Sequence, residues 1–466
     1  MDSSTTIEER LGKAGIWIPE ILLPSGVNLR QWAAIACDQF TQDRAYWDKA
    51  KETAASSPSA LNLIFPEVFL ADDNPAGCIG DIHRTMREYL DSGVFAPPRR
   101  GFVYLERDTP FNCGRRGLVA AVDLEQYDWS PREPDDAEAR PLIRPTEGTI
   151  ADRLPPRMDI RRSAPLETPH ILLLIDDDTD TLLRGLGQQA KKNAPVYQGN
   201  LMMNSGSASG WFLDSPEAWD FFAAGLEELA RKALIRYPAG NAPGGQSATV
   251  SQPFLFAVGD GNHSLASAKG IWEEYKAKNG GGMNLPVHPC RYALVEIENI
   301  YDPAIRFEPI HRVVFGLDFG RAMDLFSALP GFSSSIVSGG DALTRLVAEP
   351  IQGSRYGIIS GDRYALLETS AGGISTASLQ PLLDAAISVD SSLSIDYIHG
   401  EDELFRLAEG GLDSGQGKAT GILLPPVQKS GFFEAIACGG SLPRKSFSMG
   451  EAVEKRFYIE CRKLFS

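Results

Sequence analysis

The chain has 466 residues, 43% hydrophobic and 23% charged, with a formal net charge of −16 at pH 7. That length asks for two or three domains rather than one core, and the acidic balance argues against a sequence-independent grip on nucleic acid, which rests on basic contacts to phosphates. No apolar run reaches the ~18 residues of a membrane helix, the first residues lack the basic-then-apolar pattern of a signal peptide, and the six cysteines form no CxxC pair, so a reducing cytoplasm without zinc or disulfides is expected.

Along the chain, GIWIPEILL (15–23) reads as a short strand. In WAAIACDQF (32–40), Asp38 follows an apolar run and either lines a pocket or makes a strand-end hydrogen bond. TQDRAYWDKAKETAAS (41–56) reads as helix, and IGDIHRTMREYLDSG (79–93) is an amphipathic helix stopped by glycine. GFVYLERDT and RRGLVAAVDLEQY alternate as paired strands. Residues 129–141 form a loop, and PHILLLIDDDTD (169–180) is a buried strand ending in an acidic, solvated turn without EF-hand spacing. Ser205–Gly210 reads as a hairpin turn. Ser215 can cap the helix SPEAWDFFAAGLEELARKAL. A Gly- and Pro-punctuated loop (237–252) leads to the strand FLFAVGD and the helix HSLASAKGIWEEYKAK.

NGGGMNLP (279–286) is the expected boundary between an N-terminal αβ region, 1–278, and a C-terminal one, 287–466, in which alternation resumes at YALVEIENI. Strands are expected near 355–368 and 420–425, and helices near 380–387, 401–409 and 448–464. GEDE (400–403) places acids in a first helical turn. His311 and Arg312 end a strand-like run and suit structural hydrogen bonds. Arg444–Ser446 either reaches a phosphate or lies on the surface. There is no internal repeat.

The segment VGDGNHSLASAK (258–269) joins strand to helix through Asp260, Gly261, Asn262, His263 and Ser264. Gly261 permits a tight turn or close backbone approach, and Asn262 or Ser264 can cap the helix. Such a turn aims backbone N–H groups and the positive helix end at one point, an anion site. Asp260 could hold Mg²⁺ there, and His263 could touch a phosphate or carry a proton. The string is neither GxxxxGK[ST] nor GxGxxG, and an ordinary capped turn is the bland alternative. A second segment, RPTEGTIADR (144–153), lies in a basic island from Arg140 to Arg162 that holds six arginines and three acids. Its Glu147, with the Thr149 hydroxyl two residues on, is either a salt-bridge hub or a general base held by cations.

These segments, with LIFPEVFL, LETPHILLLID, FEPIHRVV, DYIHG and LPRKS, resemble the domain of unknown function 1015 family along nearly the whole chain. That family's Asp-Gly-His-His-Arg string reads Asp260-Gly261-Asn262-His263-Ser264 here, and its His-Glu-x-Thr string reads Thr146-Glu147-Gly148-Thr149. The motif also resembles the ParB/sulfiredoxin-like fold, which includes ATP-dependent free serine kinases and CTP-binding proteins. The resemblance implies an α+β (mixed α/β) fold with a nucleotide-binding core and a second αβ region. It implies an ATP- and Mg²⁺-dependent kinase of a small hydroxylated metabolite, free L-serine first. In that reading Glu147, Asp260 and His263 are catalytic and Asp260 holds the metal. Gly261, Asn262, Ser264, Thr149, Arg153 and Arg157 bind nucleotide phosphates, and Arg144 and Arg161 take the substrate carboxylate. The alternatives are a nucleotide-binding switch without turnover and a phosphatase or nucleotidase. The partners expected are a small molecule and a nucleotide, with no nucleic acid and no membrane; a homo-oligomer is compatible.

Overall fold

Apolar runs between Ile16 and Asn299 are gathered into one mixed sheet. The fold is described from a computed structural model over residues 5–72, 75–130, 141–237, 252–280, 288–410 and 419–465. Two units emerge: residues up to Ile305 together with Glu451 onward, and Arg306–Gly450. The class is α+β, as the sequence implies. Much of the three expected loop or linker segments, at 131–140, 238–251 and 281–286, lies outside the described residues. Among the described residues no helix is long and apolar enough to cross a membrane.

In the first unit the strand order is Tyr197–Asn200, Ser207–Leu213, Phe102–Asp108, Arg115–Asp123, Tyr292–Asn299, Leu172–Ile175, Phe256–Asp260 and Ile143–Pro145, with Ile16–Trp17 added against Arg115–Asp123. Leu118 to Val122 are all fully buried, so both faces of the sheet centre are covered. The Pro216–Arg236 helix is one cover: Ser215 Oγ accepts the Ala218 N–H at 3.2 Å, and Phe222, Ala223 and Leu226 face inward. Asp177, in the acidic turn, accepts the Leu182 N–H at 2.8 Å, while Asp176 and Asp178 pair with Arg236. The turn therefore anchors two helices instead of standing solvated. Ser207–Gly210 belong to a strand, and the expected hairpin turn lies just before them.

Two expectations are corrected. YALVEIENI was assigned to the C-terminal region, yet Tyr292–Asn299 is a central strand of the first unit, so the units divide at Ile305/Arg306 and not within 279–286. Alternation identifies a strand but not the sheet it joins. The expected helix at 448–464 is instead extended: Phe457–Tyr458 pairs with Ala34–Ile35 and Arg462–Lys463 with Leu166–Glu167. Every residue from Glu454 to Arg462 is buried. The charges of Glu454, Arg456, Glu460 and Arg462 are matched inside.

That matching is specific. Arg115 forms a bidentate pair with Glu298, both bonds at 2.6 Å, and donates to the Glu454 carbonyl at 3.0 Å. Arg107 donates to the carbonyls of Lys455 at 2.6 Å and Glu454 at 2.5 Å. Arg456 pairs with Glu296, at 3.0 Å, and with Glu460. Gly117 is required beside this network, because a Cβ there would stand 2.0 Å from Glu296 Oε1. Removing one partner of such a buried pair costs about 3–5 kcal/mol.

The second unit is an antiparallel sheet in the order Ser333–Val337, Arg363–Thr369, Ser354–Ser360, Ala419–Leu423, Phe307–Phe315 and Ser394–His399, with Phe447–Met449 also paired to Phe307–Phe315. The expected strands appear, and the helices run at Ser375–Val389 and Glu401–Glu409, the latter with its acids in the first turn. Arg312 is fully buried, bonded to Gln380 at 3.1 Å and to the Lys445 carbonyl at 2.9 Å, while the Arg444 and Lys445 side chains are exposed.

His311 Nδ1 accepts the Leu424 N–H at 3.1 Å, the structural role expected for it. Burial, then Arg312 and His399, pushes its pKa down from 6.5 to about 4. The unfolded imidazole thus protonates first, so this contribution is whole above pH 6.5 and is lost as pH falls towards 4, by about 3 kcal/mol. Urea unfolding of the full chain at pH 7 and pH 4 should show a smaller acid loss in His311→Asn than in the native chain. An identical loss in both would contradict this assignment.

Candidate functional site

The Phe256–Asp260 strand is anchored by the buried Phe256, Ala257 and Val258, which pair in parallel with Ile143–Pro145 and antiparallel with Leu172–Leu174. A register shift falls between Val258 and Asp260, and Asp260 closes the ladder against Leu172. Gly261 follows with φ +81°, and a Cβ there would lie 3.1 Å from the Ile171 Cα. Left-handed backbone and close approach together call for glycine. The Asn262–Lys278 helix begins at once, with Gly261 as its N-cap and no side-chain cap.

Asn262 and Ser264 therefore do not cap the helix as expected, because both side chains are engaged sideways. Asn262 Oδ1 accepts the Thr146 N–H and its Nδ2 donates to Thr146 Oγ1, each at 3.3 Å. Thr146 Oγ1 also donates to the Val258 carbonyl at 2.6 Å. His263 Nε2 accepts the Ile150 N–H at 3.2 Å. The Thr146–Thr149 loop is thus clamped at both ends onto the Asp260–His263 turn, with half-buried Glu147 beside the clamp. The Thr149 hydroxyl is buried beside Tyr127.

A second layer comes from distant parts of the chain. Ser264 Oγ lies 2.8 Å from His170 Nε2, and His170 Nδ1 lies 2.7 Å from the Tyr458 hydroxyl. The Cys37 N–H donates to that hydroxyl at 3.2 Å. Asp260 Oδ1 accepts the Gly261 N–H at 2.9 Å, and Oδ2 faces Lys455 Nζ at 3.2 Å. Burial pushes the Asp38 carboxyl up, but His170, the Gln39 amide, Lys455 and Arg157 together hold it below the usual range. Glu67 goes the other way: burial and Asp38 raise it against the pull of its ion partner Arg157. The Cys37 thiol is pushed up to about 12, by burial and then by Asp38, and stays protonated. Two carboxyls held apart in acidity around one histidine are the raw material of acid–base chemistry.

A cavity of about 130 Å³ opens here, with apolar walls including Phe65, Met86 and Ile171 and polar groups from Arg157, Arg161, His170 and Ser264. Of the basic island, Arg157 and Arg161 reach this cavity, paired with Glu67 and Glu167. Arg153 is exposed. Arg144 bonds the Pro141 carbonyl at 3.3 Å and stacks over Phe254 at 4.4 Å. Among the described residues no group of three or more His, Cys, Asp or Glu side chains could hold a metal. Mg²⁺ asks less, taking one or two carboxylates and substrate phosphates. Asp260 is a single carboxylate already paired with Lys455, and no protein cage for an ion surrounds it among the described residues.

His170, Lys455 and Tyr458 carried no local signal. His170 sits in an apolar strand approach, and the other two lie in the segment misread as helix. Asp38, open in the sequence between a pocket and a strand-end hydrogen bond, accepts from the Gln39 side-chain amide at 3.0 Å.

Residues 23–386 match the family model described as Protein of unknown function (DUF1015). No curated protein matches the chain by sequence. Solved structures similar to it include a free serine kinase in complex with AMP, at 11% identity and TM-score 0.35, covering 74% of this chain and 92% of that one. A conserved hypothetical protein from Pyrococcus furiosus has 11% identity and TM-score 0.31, over 73% and 90%. C-terminally truncated SbnI from Staphylococcus aureus has 11% identity and TM-score 0.34, over 73% and 85%. Likenesses this distant assign no role to any residue.

The turn itself can be tested. Gly261→Ala should lower stability by about 1–3 kcal/mol, the cost of a left-handed non-glycine residue, read as a shift in the urea midpoint. An unshifted midpoint would show that neither the φ nor the approach to Ile171 constrains this position.

Proposed function

We propose that this chain, which belongs to the DUF1015 family of proteins of unknown function, is an ATP-dependent phosphotransferase acting on a small hydroxylated metabolite, with free L-serine as the first candidate. The observation that carries this reading is the clamp: Thr146 bonded to Asn262, and Ile150 to His263, hold a carboxylate loop against a strand–turn–helix. A candidate base and a candidate phosphate site then share one surface.

In this reading the first-turn amides of the Asn262–Lys278 helix receive nucleotide phosphates. Lys455 and Arg157 neutralise charge on the transferred group, the main lever in phosphoryl transfer. Glu147 accepts the proton of the acceptor hydroxyl, and the Ile150 N–H holds His263 in the tautomer with its proton on Nδ1. Mg²⁺, when bound with the nucleotide at Asp260, would supply further charge neutralisation. Arg161 suits the acceptor's carboxylate better than Arg144, because it lines the cavity and Arg144 is stacked on Phe254.

A switch without turnover is the second reading. It is favoured by the Asp260–Lys455 pair, which already satisfies the proposed metal ligand. The pure protein should be incubated with Mg-ATP and a panel of hydroxy amino acids while ADP and phosphate are followed. Acceptor-dependent ADP supports the kinase, acceptor-independent phosphate a hydrolase, and binding without either the switch.

Two variants sharpen this. Asp260→Asn should lower turnover by at least ~10²-fold with the fold intact, as when one preorganised electrostatic group is lost. Glu147→Gln should lower kcat by about 10²-fold or more and leave nucleotide affinity little changed, because a general base acts in the chemical step. Parallel falls in affinity, melting temperature and kcat would instead make Glu147 a salt-bridge hub.

A further inference from the structure

Ser264 stands apart from its neighbours in the turn. It is the third residue of its helix, lines the 130 Å³ cavity, and meets His170 Nε2 at 2.8 Å. His170 is in turn oriented by Tyr458, 2.7 Å from Nδ1, with the two rings edge to face at 87°. Nucleophile, base and orienting group within hydrogen-bond reach of one another are the signature of an activated hydroxyl. With the imidazole proton on Nδ1 and donated to Tyr458, the Nε2 lone pair accepts the Ser264 O–H. Arg157 and Arg161 line the same cavity, paired with Glu67 and Glu167.

We propose that Ser264 is a covalent phosphoryl acceptor, activated by His170 and charged from a nucleoside triphosphate. This rests on the reading of the chain as a user of such nucleotides. In the step, Ser264 Oγ forms a bond to the γ-phosphorus and the bond from that phosphorus to the β,γ-bridging oxygen breaks. The nucleoside diphosphate leaves with that electron pair, and the Ser264 proton moves to His170 Nε2. In the second step the acceptor oxygen displaces Ser264 Oγ from phosphorus. Glu147 takes the acceptor's proton, and Ser264 regains its own from His170. Ser264 and His170 would then be catalytic residues, and Tyr458 a positioning residue.

The test uses the full chain with Mg²⁺ and γ-³²P-labelled ATP, without acceptor, quenched in acid and mapped by mass spectrometry; ATP binding is measured separately. Label on Ser264, discharged by a hydroxylated acceptor, is the expected result. His170→Asn should slow labelling by about 10²–10⁴-fold, the usual loss of a general base, while ATP affinity stays within about twofold, which separates it from a structural defect. Ser264→Ala should abolish the label, and because the map is made on the native chain, misfolding of either variant leaves the test intact. ATP binding and acceptor phosphorylation with no label on Ser264, or label at another residue, would overturn this inference and leave the kinase reading standing. Absence of ATP binding would overturn both.

Discussion

Buried charge is the constraint on which the first unit depends. Arg107, Arg115, Glu296, Glu298, Arg456 and Glu460 are all at most 3% exposed, and ions so deep persist only when each finds its partner. The sheet strands supply Arg107, Arg115, Glu296 and Glu298, and the 451–465 segment supplies Arg456, Glu460 and the carbonyls that Arg107 and Arg115 require. The segment is therefore drawn into the interior as extended chain. Burial, then Arg115 pulling down and Glu296 pushing up, leaves the Glu298 carboxyl raised to about 7, so the network is held together by geometry as much as by charge.

Threading this segment has a chemical result. Phe457–Tyr458 pairs beside Ala34–Ile35, which brings Lys455 to Asp260 and Tyr458 to both His170 and Cys37. The surface around the helix start is thus assembled from stretches near residues 37, 67, 146–170, 260 and 455, and each is fixed by hydrogen bonds that do not depend on a ligand. Such preorganisation is what electrostatic catalysis requires.

Local chemistry made part of this legible. A buried strand, a glycine and a helix pattern are contiguous at 254–278, so the turn could be read directly. The Ser215 cap and the Glu401–Glu403 first turn were equally local. What failed was long-range. Whether Asn262 and Ser264 cap a helix depends on Thr146 and His170, more than ninety residues away. The 451–465 segment has charges at spacings that suit an exposed helix, and nothing within it reveals that partners wait inside a sheet. Tyr292–Asn299 was read rightly as a strand and wrongly as to its unit, because the Gly-rich string before it was taken as a boundary.

The second unit leaves and rejoins the chain at one place: the Gly450 N–H donates to the Arg306 carbonyl at 2.9 Å. It is an insertion between a central strand of the first unit and the segment that completes the candidate site. During synthesis, the ribosome must make the whole insertion before Lys455 and Tyr458 exist to be placed. Until then Arg107 and Glu296 of the first sheet lack the partners that the 451–465 segment brings. An insertion that folds promptly and brings its ends together shortens the loop this closure must span, so mutations that slow the second unit should delay maturation of a site to which it contributes no residue described above.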